Sequence, residues 1–374
     1  MNFQKKMDSS NITRNSKEVL NKAKARNKLE DLKSDFFLRK LFNNLSEVKK
    51  LELIRYNKKL KQTLGININH YKINSEIYSS IEIEIIPKPN KIGNFIIPFG
   101  ISNVDIYFND NKNEKIQRIY ISRKDKVTKI NITINYLFDR FRQLFEDCKC
   151  IQSINFKKFY RTNITDMYGM FYGCSSLQEI HFNGFKTDNV IIMREMFSYC
   201  SSLKKLNLSS FNTNNVKDME LMFHHCSSLK ELNLSNFNTS NVGNMIGMFS
   251  YCSSLEEINL TNFNTSNVGD MFGMFSYCSS LKKLDISNFN LSYRGKMNYM
   301  FAFCSSLEKL NVFKLNTDNI ETITKMFFGC SSLKELYISN LNKKDLLENI
   351  INKLKGCSNE LKMKVKDDIK NIIG

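Results

Sequence analysis

The chain has 374 residues, 42% apolar and 25% charged, a balance that suits a folded protein with a sizeable core and excludes a disordered, low-complexity chain. Its formal charge of +18 is lopsided: residues 1–75 carry 18 Lys/Arg against 7 Asp/Glu, whereas residues 151–374 carry 25 against 20. No stretch approaches the roughly 20 consecutive apolar residues of a membrane helix, and the opening MNFQKKMDSSNITRNS lacks a signal peptide's apolar core, so a cytoplasmic location is expected.

In chain order, residues 1–70 read as a basic helical segment whose start is disordered. Leu38, Leu41, Phe42 and Leu45 form one apolar group, and Val48, Leu51, Leu53 and Ile54 form another. The lysines there are read as a solvated face, with nucleic acid not expected as a partner. Residues 71–140 read as a β-rich cap with degenerate repeats. Strands are expected over 81–86, 94–97, 104–108 and 129–136. Ile116, Ile119 and Ile121 imitate the spacing of a repeat strand, and Phe138, Phe141, Leu144 and Phe145 imitate the segment that precedes each repeat cysteine.

From 141 to 342 one 26-residue unit recurs. Its marker is Met-Phe-x-x-Cys-Ser-Ser-Leu, with cysteines at 174, 200, 226, 252, 278, 304 and 330, and Cys148 falls one period earlier. A fixed period of this length is the signature of a solenoid, in which each unit buries its apolar face against its neighbours. In the unit from 229 to 254, Leu229, Leu232 and Leu234 predict a short strand. Phe237 supplies an inner layer, as do Phe185, Phe211, Phe263 and Phe289, with Leu315 and Leu341 later. Val242, Met245, Met248, Phe249 and Cys252 then fall on one face of a short helix or helical turn, with Ser240 or Asn241 as its N-cap. The recurring methionines are read as core filler. The cysteines are read as a reduced, buried column, because stacked parallel Cβ vectors do not suit a disulfide. Residues 343–374 predict a C-terminal capping helix and tail, with Leu346, Leu347, Ile350, Ile351 and Leu354 on one face.

The MF-x-x-CSSL-x-x-L-x-L-S-x-FNT-x-NV pattern resembles the BspA-like leucine-rich repeat proteins of bacteria and protists, over roughly residues 140–345. The resemblance implies an α/β repeat fold: a right-handed leucine-rich-repeat solenoid of about eight units with a helical and β N-terminal cap. It also implies protein binding, often as a surface adhesin, which makes the cell surface the alternative location. Residues 36–60 are loosely similar to an F-box without its opening Leu-Pro, which would imply a ubiquitin-ligase substrate adaptor.

Chemistry is sparse. There is no P-loop, no dinucleotide-binding turn and no H-E-x-x-H. His224-His225-Cys226 is read as part of the repeat and not as a Cys–His nucleophile, and Cys148-x-Cys150 lacks the partner pair of a zinc site. The expectation is therefore a non-enzymatic interaction scaffold with no catalytic residue, no cofactor and no metal. It would bind a protein partner through the outward positions of the strands: Glu179, His181, Lys205, Asn207, Glu231, Asn233, Glu257, Asn259, Lys283, Asp285, Lys309, Asn311, Glu335 and Tyr337. The asparagines of that column are expected to pair along the sheet.

Overall fold

Every second residue of 81–87 is apolar, and the computed structural model places a strand there, β1 (Ile81–Pro87), with Ile81, Ile83 and Ile85 buried. The residues described are 79–97, 104–135, 139–289, 296–313 and 325–339, with residues 45, 62, 357 and 361 singly. The chain divides into two compact units, Met1–Tyr78 and Ser79–Gly374, and the described strands and repeats all belong to the second. The helices expected before residue 70 and after 343, together with Phe138, Leu315 and Leu341, lie outside the described residues.

Four further short strands complete the cap region: β2 (Gly93–Asn94), β3 (Val104–Phe108), β4 (Tyr120–Ile121) and β5 (Ile130–Ile134). Together with β6 (Ile151–Lys158) and β7 (Glu179–Phe182), three of the cap strands form a sheet of order β3-β5-β1-β6-β7. Pairing is antiparallel up to β6 and parallel from β6 to β7. β6 is thus the joint between cap and repeats, and β1 covers the edge that the first repeat strand would otherwise expose. Buried Arg161 ties the same joint, its guanidinium donating to the carbonyls of Ser79 (2.8 Å) and Ile134 (3.3 Å). The spacing at 116–121 does not belong to a repeat: β4 pairs antiparallel with β2, and Phe95 N–H donates to the Ile119 carbonyl. Three apolar residues at the right interval satisfied the pattern without the partner strand that defines a turn of the solenoid.

The repeats form a β-solenoid of about six turns, with strands β8 (Glu231–Asn233), β9 (Glu257–Asn259), β10 (Lys283–Ile286), β11 (Lys309–Phe313) and β12 (Glu335–Ser339) in parallel register. Each pair aligns residues 26 apart, such as Leu232 with Ile258 and Leu284 with Leu310. Residues 203–208 form no ladder strand, although Leu203, Leu206 and Leu208 are buried as in the other turns.

The helical segment expected within each repeat is not a helix. Met219, Met222, Phe223 and Cys226 all point inward, but the backbone is a chain of tight turns. Met222 N–H bonds Met219 O, His224 bonds Leu221 O, and Cys226 bonds Phe223 O. The amides between them cross to the next repeat: Met219 to Asn244 O, Leu221 to Ile246 O, Phe223 to Met248 O and His225 to Ser250 O, at 2.8–3.1 Å. Leu221 and His225 sit in the left-handed region, at φ 54° and 57°, as do their equivalents Gly247 and Tyr251. A left-handed residue every fourth position breaks helix propagation. A turn repeating every four residues buries the same i, i+3, i+4, i+7 positions as a 3.6-residue helix over so short a span.

The polar letters of the repeat also bond between turns. Thr213 Oγ1 donates to Asn238 O (2.9 Å) and accepts from Asn238 N–H (2.8 Å), and Thr187 and Thr239 repeat this with Asn212 and Asn264. The expected N-cap Asn241 instead donates its Nδ2 to Asn214 O at 2.6 Å, one turn back. Each repeat thiol from Cys174 to Cys330 donates to the phenylalanine carbonyl 29 residues before it, at 2.9–3.2 Å. All ten cysteines are free and buried. In the core the rings of Phe145, Phe171, Phe197, Phe223, Phe249, Phe275, Phe301 and Phe327 form one column, with centroids 5.4–5.8 Å apart and planes within 14°.

Thr213→Val keeps the shape of a buried residue but leaves the amide and carbonyl of Asn238 without that partner. It should lower stability by about 2 kcal/mol, read as a lower urea midpoint; an unchanged midpoint would contradict the threonine column. Burial pushes the Cys252 and Cys304 thiols up to about 12 from an ordinary value near 9. Raised acid groups favour the fold below the unfolded value and cease to as pH climbs through the folded one, so stability should fall from about pH 9 toward 12. At neutral pH a thiol reagent should find almost no reactive cysteine in the native protein and ten in denaturant.

Candidate interaction surface

The strand face is built by the L-x-x-L-x-L spacing. Its leucines turn into the core, which leaves the residues between them outward. Glu179, His181, Lys205, Asn207, Glu231, Asn233, Glu257, Asn259, Lys283 and Asp285 are all exposed, and Lys309 is too. Asn311 and Glu335 are half-buried, and the side chain of Tyr337 lies outside the described residues. Lys205, Asn207, Glu231, Asn233, Glu257 and Asn259 line one open groove of about 800 Å³ across three turns. A neighbouring groove of about 690 Å³ adds Lys204, Lys230 and Glu256, outward residues of the same loops that the strand pattern alone did not single out.

Register decides the electrostatics. Glu231 stands beside Glu257, and Lys283 beside Lys309, at the roughly 4.8 Å spacing of neighbouring strands. Like charges directly opposite each other disfavour the sheet. Opposite pairs also occur, Lys230 with Glu256 at 3.9 Å and Lys309 with Glu335 at 3.1 Å, but such exposed pairs contribute little. The ribbon therefore carries mixed charge, with like charges side by side at two places.

The column pairs along the sheet at Asp285 and Asn311, which stand side by side in register and share a side-chain hydrogen bond, but its earlier asparagines bond forward instead. Asn207, Asn233 and Asn259 each accept the backbone N–H two residues on, at 3.0 Å, closing the turn after the strand. Asp285 does the same to Ser287, whose backbone N–H and hydroxyl hold the carboxyl below its usual range. The sequence places these residues outward, but their oxygens are committed locally, so the Lys/Glu positions are the more available part of the ribbon.

A second feature, half-buried except at exposed Tyr199, lies on the turn side. Tyr199, His225, Tyr251, Tyr277 and Phe303 stack with centroids 4.2–4.8 Å apart. An aromatic residue just before the repeat cysteine was its sequence signal. His224 faces Tyr199 and the Ser250 hydroxyl, and burial, with His225 beside it, pushes its pKa down to about 4. The Cys226 thiol points the other way, donating to Phe197 O, so the His-His-Cys run brings no imidazole onto the sulfur. Cys150 donates to Asn94 O at 3.1 Å and joins the cap to the first turn. Among the described residues, no group of three or more His, Cys, Asp or Glu is arranged to hold a metal ion, and no helix is long and apolar enough to cross a membrane.

A family model described as "Mycoplasma protein of unknown function, DUF285" matches residues 139–258 and 252–362, more than half of the chain. No curated protein matches it.

Proposed function

The chain belongs to the DUF285 family, and from that membership and the charged strand face we propose that it is a non-enzymatic scaffold that binds a protein partner through its solenoid. In this reading the repeats are about eight units of the leucine-rich-repeat class, BspA-like, with a ladder of turns where a helix was expected. The single observation that supports partner binding most is the in-register Glu231–Glu257 pair inside a ribbon of mixed charge. An acidic row next to a basic one is an unfavourable surface for an isolated sheet and a suitable one for a partner of opposite pattern. The cytoplasm is the proposed location. The adaptor and adhesin readings differ from this one in what they require of residues 36–60 and of cell-surface exposure.

A quantitative pull-down from native lysate tests the proposal, using the full chain, the Glu231→Lys/Glu257→Lys variant and a chain without residues 1–75. The partner should be lost with the strand-face variant and kept without residues 1–75. Loss of ubiquitin-ligase subunits on the truncation alone would favour the adaptor reading. Labelling of the chain at the surface of intact cells would favour the adhesin reading.

A further inference from the structure

We infer that the partner of the strand face is a second copy of this chain, docked face to face in a two-fold dimer. The inference rests on the reading that this face binds protein, and it names the occupant. Its source is the order of charges along the ribbon. Lys204 and Lys205 occupy one turn, Lys230 and Glu231 the next, and Glu256 and Glu257 the one after. All six are exposed and line one groove. Two positive charges, a neutral pair and two negative charges therefore follow one another at single-turn intervals.

Such a row is its own complement under one particular symmetry. A half-turn about an axis lying in the face, along the strand direction and through the Lys230/Glu231 turn, reverses the stacking order. It sets Lys204 and Lys205 of each copy over Glu256 and Glu257 of the other. Two-fold interfaces have this isologous form, in which residue i meets j and j meets i. The pattern continues one turn outward on both sides: Glu179 of one copy meets Lys283 of the other, both exposed. A half-turn about the stacking axis would place Lys204 over Lys205 and Glu256 over Glu257 of the other copy, with Lys230 over Glu231 as the one opposite pair, so the outer turns choose between the two orientations. The same docking places Lys205 of the second copy over Glu257, which relieves one end of the Glu231–Glu257 row, while Lys230 and Glu231 of the axial turn face their own counterparts. Five turns at about 4.8 Å give a short interface, so the dimer is weak and sensitive to salt.

Sedimentation velocity on the full chain tests this across a concentration series at about 0.02 M and about 0.5 M salt. The chain should dimerise at low salt and dissociate at high salt. Lys204→Glu/Lys205→Glu and Glu256→Lys/Glu257→Lys should each weaken dimerisation by about tenfold or more. Mixed together, the two variants should associate with each other, because each then presents the charge that the other needs. Normal folding of both variants is checked by their circular dichroism and urea midpoints. A monomer at low salt, variants that dimerise like the natural chain, or a mixture that stays monomeric would overturn the inference. A monomeric chain that still loses its lysate partner with Glu231→Lys/Glu257→Lys would overturn this inference alone and leave the proposed function standing.

Discussion

Each turn of this solenoid is too short to satisfy its own backbone. Across residues 219–226 three amides find a carbonyl three residues back, four must reach the next turn, and that of Glu220 donates to the Asp218 carboxyl. An amide buried without a partner costs about 1–3 kcal/mol, so the stack forms only if every turn lies in register with its neighbours. That requirement fixes the 26-residue period. It also explains why the polar letters recur as regularly as the apolar ones. Threonine substitutes for a backbone pair, cysteine donates to a phenylalanine carbonyl, and asparagine reaches back one turn. The aligned phenylalanine rings are a consequence of the same register.

Register also governs the end of the stack. A parallel strand at the start would offer open N–H and C=O groups to any other chain. β1 closes that edge by pairing antiparallel with β6, and Arg161 fastens the joint from inside. The cap is therefore continuous with the first turn, and its alternating isoleucines continue the core that the leucines and methionines fill further on.

Much of this was legible in the sequence. The period, the inward columns of Leu, Met, Phe and Cys, and the outward strand positions follow from spacing alone. The backbone of the Met–Phe segment did not, because four-residue turns and a helix bury the same side chains over the eight residues 219–226. What separates them is left-handed backbone at Leu221 and His225, for which the only sequence sign is glycine at the same positions of other turns, Gly169, Gly247 and Gly273 and Gly173 and Gly329. The asparagines after each strand were visible as a column, but whether they bond sideways or forward depends on local geometry that periodicity does not carry. Likewise the charges were visible one by one. Only parallel register shows that Glu231 meets Glu257, and only the shared groove shows Lys204, Lys230 and Glu256 beside them. The fold thus turns a bland mixture of Lys and Glu into an ordered row, and recognition is proposed to act through that order.

Hydrogen bonds between turns hold the repeat together, where a helix would bond within one turn. Scalar couplings transmitted through hydrogen bonds, measured by nuclear magnetic resonance on isotope-labelled protein, read those bonds directly. A coupling is expected from the Phe223 amide nitrogen to the carbonyl carbon of Met248, with its equivalents one period along. A coupling from Phe223 to Met219, four residues back, would instead show a helix, with no ladder between turns.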